Sequence, residues 1–140
     1  MNLQRLTRDI DQHEDCRLKA YQDSKGVWTI ARGRNLQELR ISQAVANQWF
    51  QEDLTNATLD AQAFPEYSYL DTDARRNAFI EMCYNLGAPR LRGFARMLMG
   101  IRLKDWEMVA KEALDSDWHR DVGHRAEVIA EMYRTGNFPK

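Results

Sequence analysis

The stretch EDCRLKAYQDSKGVWT, Glu14 to Thr29, sets two carboxylates and a hydroxyl on three different local elements. Upstream of it, Leu3, Leu6 and Ile10 recur at spacings of three and four, which predicts a short amphipathic helix over residues 2–13 with Glu14 at or just past its end. Within it, Tyr21, Val27, Trp28, Thr29 and Ile30 favour strands, and DSKG reads as a turn with Gly26 last. Gly26 and Gly33 bracket the second strand, so residues from Arg17 to about Leu36 form the one convincing β region. Asp23 opens the turn and Thr29 sits in the strand. Acid, acid and hydroxyl, in the order E-x8-D-x5-T, can therefore meet across a hairpin without sharing a helix face.

The remainder reads as helix. Ser42 is a candidate N-cap for a long helix in which Ala46, Phe50, Leu54, Ala57, Ala61 and Phe64 step along one face, predicted to be buried, until Pro65 ends it. After the connection EYSYLDTD, Asp71 or Thr72 caps a central helix over about 73–86, closed by Gly87. Pro89 to Leu103 is a helical stretch interrupted at Gly93 and Gly100. Residues 104–114 place Trp106, Val109, Ala110, Ala113 and Leu114 on one face, and a last helix runs from about Gly123 to Arg134. The expectation is an α+β, mainly α, fold in a single domain over 1–140. It has a small β-hairpin lobe (about 14–40), a larger helical lobe (1–13 and about 65–140) and a linking helix (about 42–64).

Bulk properties exclude several classes. A net charge of −1 gives no whole-chain attraction to nucleic acid or to an anionic membrane. No apolar run approaches the roughly 20 residues that span a bilayer. The polar start MNLQRLTRDIDQHEDC is not a secretory signal, so synthesis in the cytoplasm without a membrane anchor is expected. Cys16 and Cys83 form neither a CxxC pair nor a disulfide framework, and Cys83, in FIEMCYNLG, reads as a small core residue. His119 and His124 lack metal-ligand spacing, so no metal is expected and surface or capping roles come first. Arg90, Arg92, Arg96, Arg102 and Lys104 form a basic stretch that reads first as a solvated helical face, with contact to anionic wall polymers as the alternative.

With 21 acidic residues, any single one is ordinarily solvated surface, and only joint context raises Glu14 and Asp23 above that background. Two carboxyls flanking a cleft are what glycoside hydrolysis needs, one protonated to donate to the leaving oxygen and one ionised to handle water. The hairpin RLKAYQDSKGVWTI, the segment LDTDARRNAFIEMCYNLG followed by Gly93–Phe94, and KDWEMVAKEAL, HRAEVI and YRTGNF together resemble the lysozymes of the T-even phages and their endolysin relatives, a glycoside hydrolase family. The resemblance runs over nearly the whole chain.

The resemblance implies a lysozyme-like fold and a cofactor-independent muramidase. Such an enzyme cuts the β-1,4 bond between N-acetylmuramic acid and N-acetylglucosamine in peptidoglycan, with inversion. It implies Glu14 as general acid, Asp23 and Thr29 as the pair that positions the attacking water, and Arg125 as support for the catalytic glutamate. Asn35, Tyr84 and Asn85 would line the sugar cleft, as would Met97 and Glu112, which differ in chemistry from the T-even residues. Three departures lie inside the motif. Asp15 replaces a glycine and adds charge beside Glu14. Ala31 replaces a glycine in TIARGR, and Arg34 replaces a histidine there and is a candidate partner for a nearby acid. A monomeric endolysin is expected, held in the host cytoplasm until a holin-type lesion admits it to the wall, a virion-borne lysozyme being equally compatible. The rivals are a weak or degenerate murein-binding protein on the same scaffold and a lytic transglycosylase, against which Asp23 and Thr29 argue.

Overall fold

The computed structural model describes residues 2–140, which divide into two compact units, one ending at Ala46 and the other beginning at Asn47. The expected mainly helical α+β fold is observed.

In the first unit, α1 (Leu3–His13) starts at Asn2, whose side chain accepts from the Arg5 N–H at 3.0 Å. A three-stranded antiparallel sheet follows, β1 (Arg17–Gln22), β2 (Trp28–Ala31) and β3 (Arg34–Asn35), in the order β1-β2-β3. The third strand extends the expected hairpin. Tyr21 pairs with Thr29 and Gln22 with Trp28, while a bulge separates these from the Arg17–Ala31 pair. Thr29 also pairs with Asn35 and Ile30 with Arg34, so the chain turns back between β2 and β3 through Ala31, Arg32 and Gly33. That turn needs left-handed backbone at both ends, φ 77° at Gly33 and φ 56° at Ala31. Glycine adopts this region freely, whereas a Cβ there crowds the following carbonyl. Arg32 then reaches back to Asp11 of α1 at 2.6 Å, an exposed ion pair that orients more than it stabilises.

The helical period of α1 holds, but Leu3, Leu6 and Ile10 are all exposed: a period specifies a stripe, not a partner. The same correction applies to α2 (Gln43–Gln62), which Ser42 caps through Val45 as expected. Only Ala57, Ala61 and then Phe64 are buried. Phe50 and Leu54 keep 50% and 36% of their surface, because the stripe runs out beyond the end of the core. Trp49 is exposed as well.

The second unit continues through a 3-10 turn (Pro65–Tyr69) into α3 (Asp73–Leu86), α4 (Ala88–Arg92), α5 (Ala95–Leu103), α6 (Trp106–Leu114), α7 (Asp117–Val122) and α8 (His124–Thr135). Its core centres on α3, where Ala78, Phe79, Met82 and Cys83 are buried against Phe64, Leu91, Met97, Ile101, Ile129 and Tyr133. Phe64 meets Phe79 edge-on at 5.2 Å. Gly93 separates α4 from α5 as expected, but Gly100 interrupts nothing. It lies inside α5 because a Cβ there would stand 3.0 Å from Val109 Cγ2 and 3.3 Å from the Val109 nitrogen, so its missing side chain lets α5 and α6 approach. The six-residue α7, capped by Ser116, was not anticipated; it is too short to show a period.

Arg75 ties this unit together. Only 8% exposed, it donates from Nε to the Tyr133 carbonyl at 2.8 Å and from Nη2 to the Arg134 carbonyl at 3.3 Å, satisfying acceptors that α8 leaves unpaired at its end. Nη1 pairs with Asp71 at 2.8 Å, and the guanidinium lies 4.0 Å from the centre of the Trp106 ring. Gly136 makes room for it, since a Cβ there would stand 3.0 Å from Arg75 Cζ. Burial alone would raise the Asp71 carboxyl, but the hydrogen bond and charge of Arg75 outweigh it and hold the group below the usual carboxylate range.

Three outcomes follow. Replacing Arg75 by Met strands two carbonyls and removes the ring contact, and should lower stability by about 3 kcal/mol in denaturant melts. Because Asp71 titrates lower when folded, its contribution is present above the unfolded carboxylate value of about 3.9 and is lost as pH falls through the folded value; Asp71→Asn should flatten that acid limb of the stability–pH curve. Ala31→Gly should raise stability by about 0.5–1 kcal/mol, the left-handed cost relieved less the greater unfolded-state freedom of glycine. A lower melting temperature for that variant would contradict the strain at Ala31.

Candidate active site

Glu14 follows directly on α1, its N–H still donating to the Ile10 carbonyl at 2.9 Å while its own backbone is extended. The helix thus ends by swinging this side chain outward. Its carboxylate comes to rest over the β2–β3 turn: a Cβ built on Gly33 would lie 3.4 Å from Glu14 Oε2. Gly33 therefore serves the turn twice, by its left-handed φ and by leaving room for the acid. The Glu14 side chain is exposed and takes no hydrogen bond or ion pair from the described residues. Asp15, the extra charge beside it, is paired with Arg17 at 3.2 Å, so its field at Glu14 is partly cancelled.

Asp23 and Thr29 are joined through one residue, Val27. Asp23 Oδ1 accepts the N–H groups of Lys25 (2.8 Å) and Val27 (2.9 Å), an Asx turn that fixes the carboxylate on its own backbone. The Val27 carbonyl in turn accepts both the Asp23 N–H and the Thr29 hydroxyl, each at 2.9 Å. Thr29 is 4% exposed, one of three buried polar side chains with Glu66 and Arg75 among the described residues. With its proton committed to Val27, the Thr29 oxygen can only accept from a further partner. Asp23 Oδ2 takes no donor from the described residues and is likewise an open acceptor.

The other expected site residues divide between the units. Asn35 stands across from Thr29 on β3, its Oδ1 accepting the Gln37 N–H at 2.9 Å. Arg34, beside it and exposed, has no ion pair among the described residues; the neighbouring cation that does pair is Arg32, with Asp11. In the second unit, Asn85 accepts the Trp118 indole N–H at 2.8 Å, which leaves its amide NH2 to face outward. Tyr84 is half-exposed with its ring edge toward Phe50 at 6.1 Å. Arg125 donates to Glu81 at 2.9 Å, and both line a cavity of about 500 Å³ with Phe50, Ile80 and Tyr84. Glu81 was not singled out from the sequence, because the pairing joins residues on helices far apart in the chain.

The basic stretch is largely spoken for. Arg96 pairs with Glu112 at 2.9 Å, Arg102 with the buried Glu66, and Arg92 lies over the Phe64 ring at 5.3 Å. His119 and His124 both face Glu127, His119 also contacting the Leu114 carbonyl at 2.9 Å, and hydrogen bonds from the two imidazoles, His124 foremost, hold the Glu127 carboxyl below its usual range. Among the described residues, no group of three or more His, Cys, Asp or Glu is arranged to hold a metal. Cys16 and Cys83 are free thiols; Cys83 is buried, and burial pushes its thiol up, as befits a core side chain. Among the described residues, no helix is long and apolar enough to cross a membrane.

The sequence that carries these residues has counterparts among known proteins. "Probable T4-type lysozyme 1" from Dictyostelium discoideum is 25% identical over 149 residues, covering 86% of this chain and 88% of its own length. The sequence model of the phage lysozymes matches residues 11–133, from the last turn of α1 to the buried Tyr133 of α8. A match over that span includes Glu14, Asp23 and Thr29 along with the helical core, and with it the chain belongs to the phage lysozyme family.

Proposed function

We propose that this chain is a muramidase that hydrolyses the β-1,4 bond between N-acetylmuramic acid and N-acetylglucosamine, with inversion at the anomeric carbon. Family membership supports the coarser statement, a glycoside hydrolase acting on peptidoglycan. The finer reading is carried by the Val27 link between Asp23 and Thr29. Two open acceptors, Asp23 Oδ2 and the Thr29 oxygen, would each take one proton of a single water. That water keeps a lone pair free to attack the sugar, and Asp23 takes up its proton as the bond forms. Glu14, exposed at the end of α1, donates its proton to the leaving oxygen on the other face. A lytic transglycosylase needs no such water-holding pair. Asn35, Tyr84 and Asn85 are assigned to sugar contacts, and Arg125 and Arg34 to supporting roles.

In this reading the protein is a phage endolysin, or a virion-borne lysozyme, that acts on the host wall. An endolysin would wait in the host cytoplasm for a holin-type lesion, and would work as a monomer.

Clearing of purified cell walls tests the chemistry. Glu14→Gln should lose about 10²–10⁴-fold in rate, the ordinary worth of a general acid. Asp23→Asn should be more discriminating: the amide oxygen can accept from Lys25 and Val27 as the carboxylate does, so the fold should melt at an unchanged temperature while hydrolysis collapses. Anhydro-muropeptide ends in the digest, seen by mass spectrometry, would replace the hydrolase by a transglycosylase. Wall binding without clearing by the wild type would leave only a murein-binding protein.

A further inference from the structure

The short helix α7 hangs on His119, which faces a partner at every polar atom. Its backbone N–H donates to the Ser116 hydroxyl at 3.3 Å and its carbonyl accepts the Gly123 N–H at 2.8 Å, so it takes part in both caps. Its half-buried imidazole lies between the neighbouring helices. Nδ1 is 2.9 Å from the Leu114 carbonyl at the end of α6, and Nε2 is 3.6 Å from Glu127 Oε1 on α8. His124 Nδ1 meets the other Glu127 oxygen at 2.9 Å. Both partners of the His119 ring are acceptors. A neutral imidazole has one N–H and sets a lone pair against the second acceptor, whereas an imidazolium directs an N–H at each. The carboxyl of Glu127 is held below its usual range by the His124 hydrogen bond, then by that of His119, against the opposing pull of burial. Of the other charges on these elements, Asp117 pairs with Arg120 and Glu131 with Arg134, while Lys111, Asp115 and Asp121 stand exposed.

A helix of six residues has little stability of its own, so α7 depends on contacts such as these. Trp118 precedes His119 on it, only 2% exposed, with its indole N–H on Asn85 at 2.8 Å. We propose that His119 and Glu127 form a pH-dependent latch on α7, closed at mildly acidic pH, and that His119 is thereby a positioning residue for Asn85. The step to sugar binding rests on Asn85 as a sugar contact of the muramidase. The carboxylate half of the latch is present above the unfolded glutamate value of about 4.3 and is lost as pH falls through the lower folded one. The imidazolium half is lost as pH rises through the histidine range, near about 6.5. Between these limits the latch is closed. Above them the ring keeps a single donor, α7 loosens, and the hold of Trp118 on the Asn85 amide loosens with it.

The test compares the full chain as wild type, His119→Gln, Glu127→Gln and the double variant, unfolded in urea at about pH 5.5 and about pH 8, either side of the histidine range. At the lower pH the unfolding constant of the double variant should differ at least about twofold from the product of the single effects, and at the higher pH the effects should multiply. Equal coupling at both, or none at either, overturns the latch, because a merely structural contact does not follow the titration. His124→Ala should leave the coupling in place; its loss there would assign the latch to the wrong imidazole. In NMR spectra of the wild type the Trp118 indole N–H should move between the two pH values, and in Glu127→Gln it should not. A signal that stays put in the wild type, or moves alike in both, removes His119 from the positioning of Asn85. On cell walls, KM should rise about twofold more over that range in the wild type than in Glu127→Gln, with kcat following the same profile in both. A protein that shows the coupling yet clears no wall keeps the latch and sinks the muramidase reading. One that clears walls without the coupling does the reverse.

Discussion

The Asp23–Thr29 half of the candidate site depends on the backbone of Val27. Its N–H holds the Asp23 carboxylate and its carbonyl holds the Thr29 hydroxyl, so both side chains are referred to the backbone of a single residue. Neither side chain has to find the other. The β1–β2 turn sets the first contact and the strand pairing sets the second, and both are local enough to form whenever the sheet forms. A catalytic set that must be positioned to within a fraction of an ångström gains from such an arrangement, because its error is that of a single turn. Glu14 is held differently, by the end of a helix and the empty space over Gly33.

The parts of this molecule that could be read from the sequence are those determined by neighbours a few residues away. Ser42, Thr72 and Gly87 act as the caps they look like, and the turn at Asp23 to Gly26 is where its composition puts it. Composition could not say which apolar residues find cover. The stripe on α2 is continuous from Phe50 to Phe64, yet burial begins only at Ala57. Gly100 looks like a breaker in isolation and proves to be a contact, since its meaning lies in Val109 on another helix. Strand β3 is two residues long and has no period to detect.

The same division holds at the site. Glu14, Asp23 and Thr29 stood out because their spacing crosses three elements, but the roles of Val27 and Gly33 as their supports are visible only in three dimensions. Charged pairs were the least legible. Arg32 with Asp11, Arg96 with Glu112 and Arg125 with Glu81 each join positions that no local rule connects. A run of arginines that reads as a basic surface turns out to be largely a set of partners, Arg96 and Arg102 each drawn to an acid and Arg92 to a ring.

Arg75 also has a bearing on how the chain becomes folded. Two of its acceptors are carbonyls of residues 133 and 134, in the last turn of α8. Until those residues leave the ribosome, the central helix carries a cation in its core-facing wall with nothing to receive most of its hydrogens. The packing of this unit is therefore complete only once residues 133 and 134 are in place.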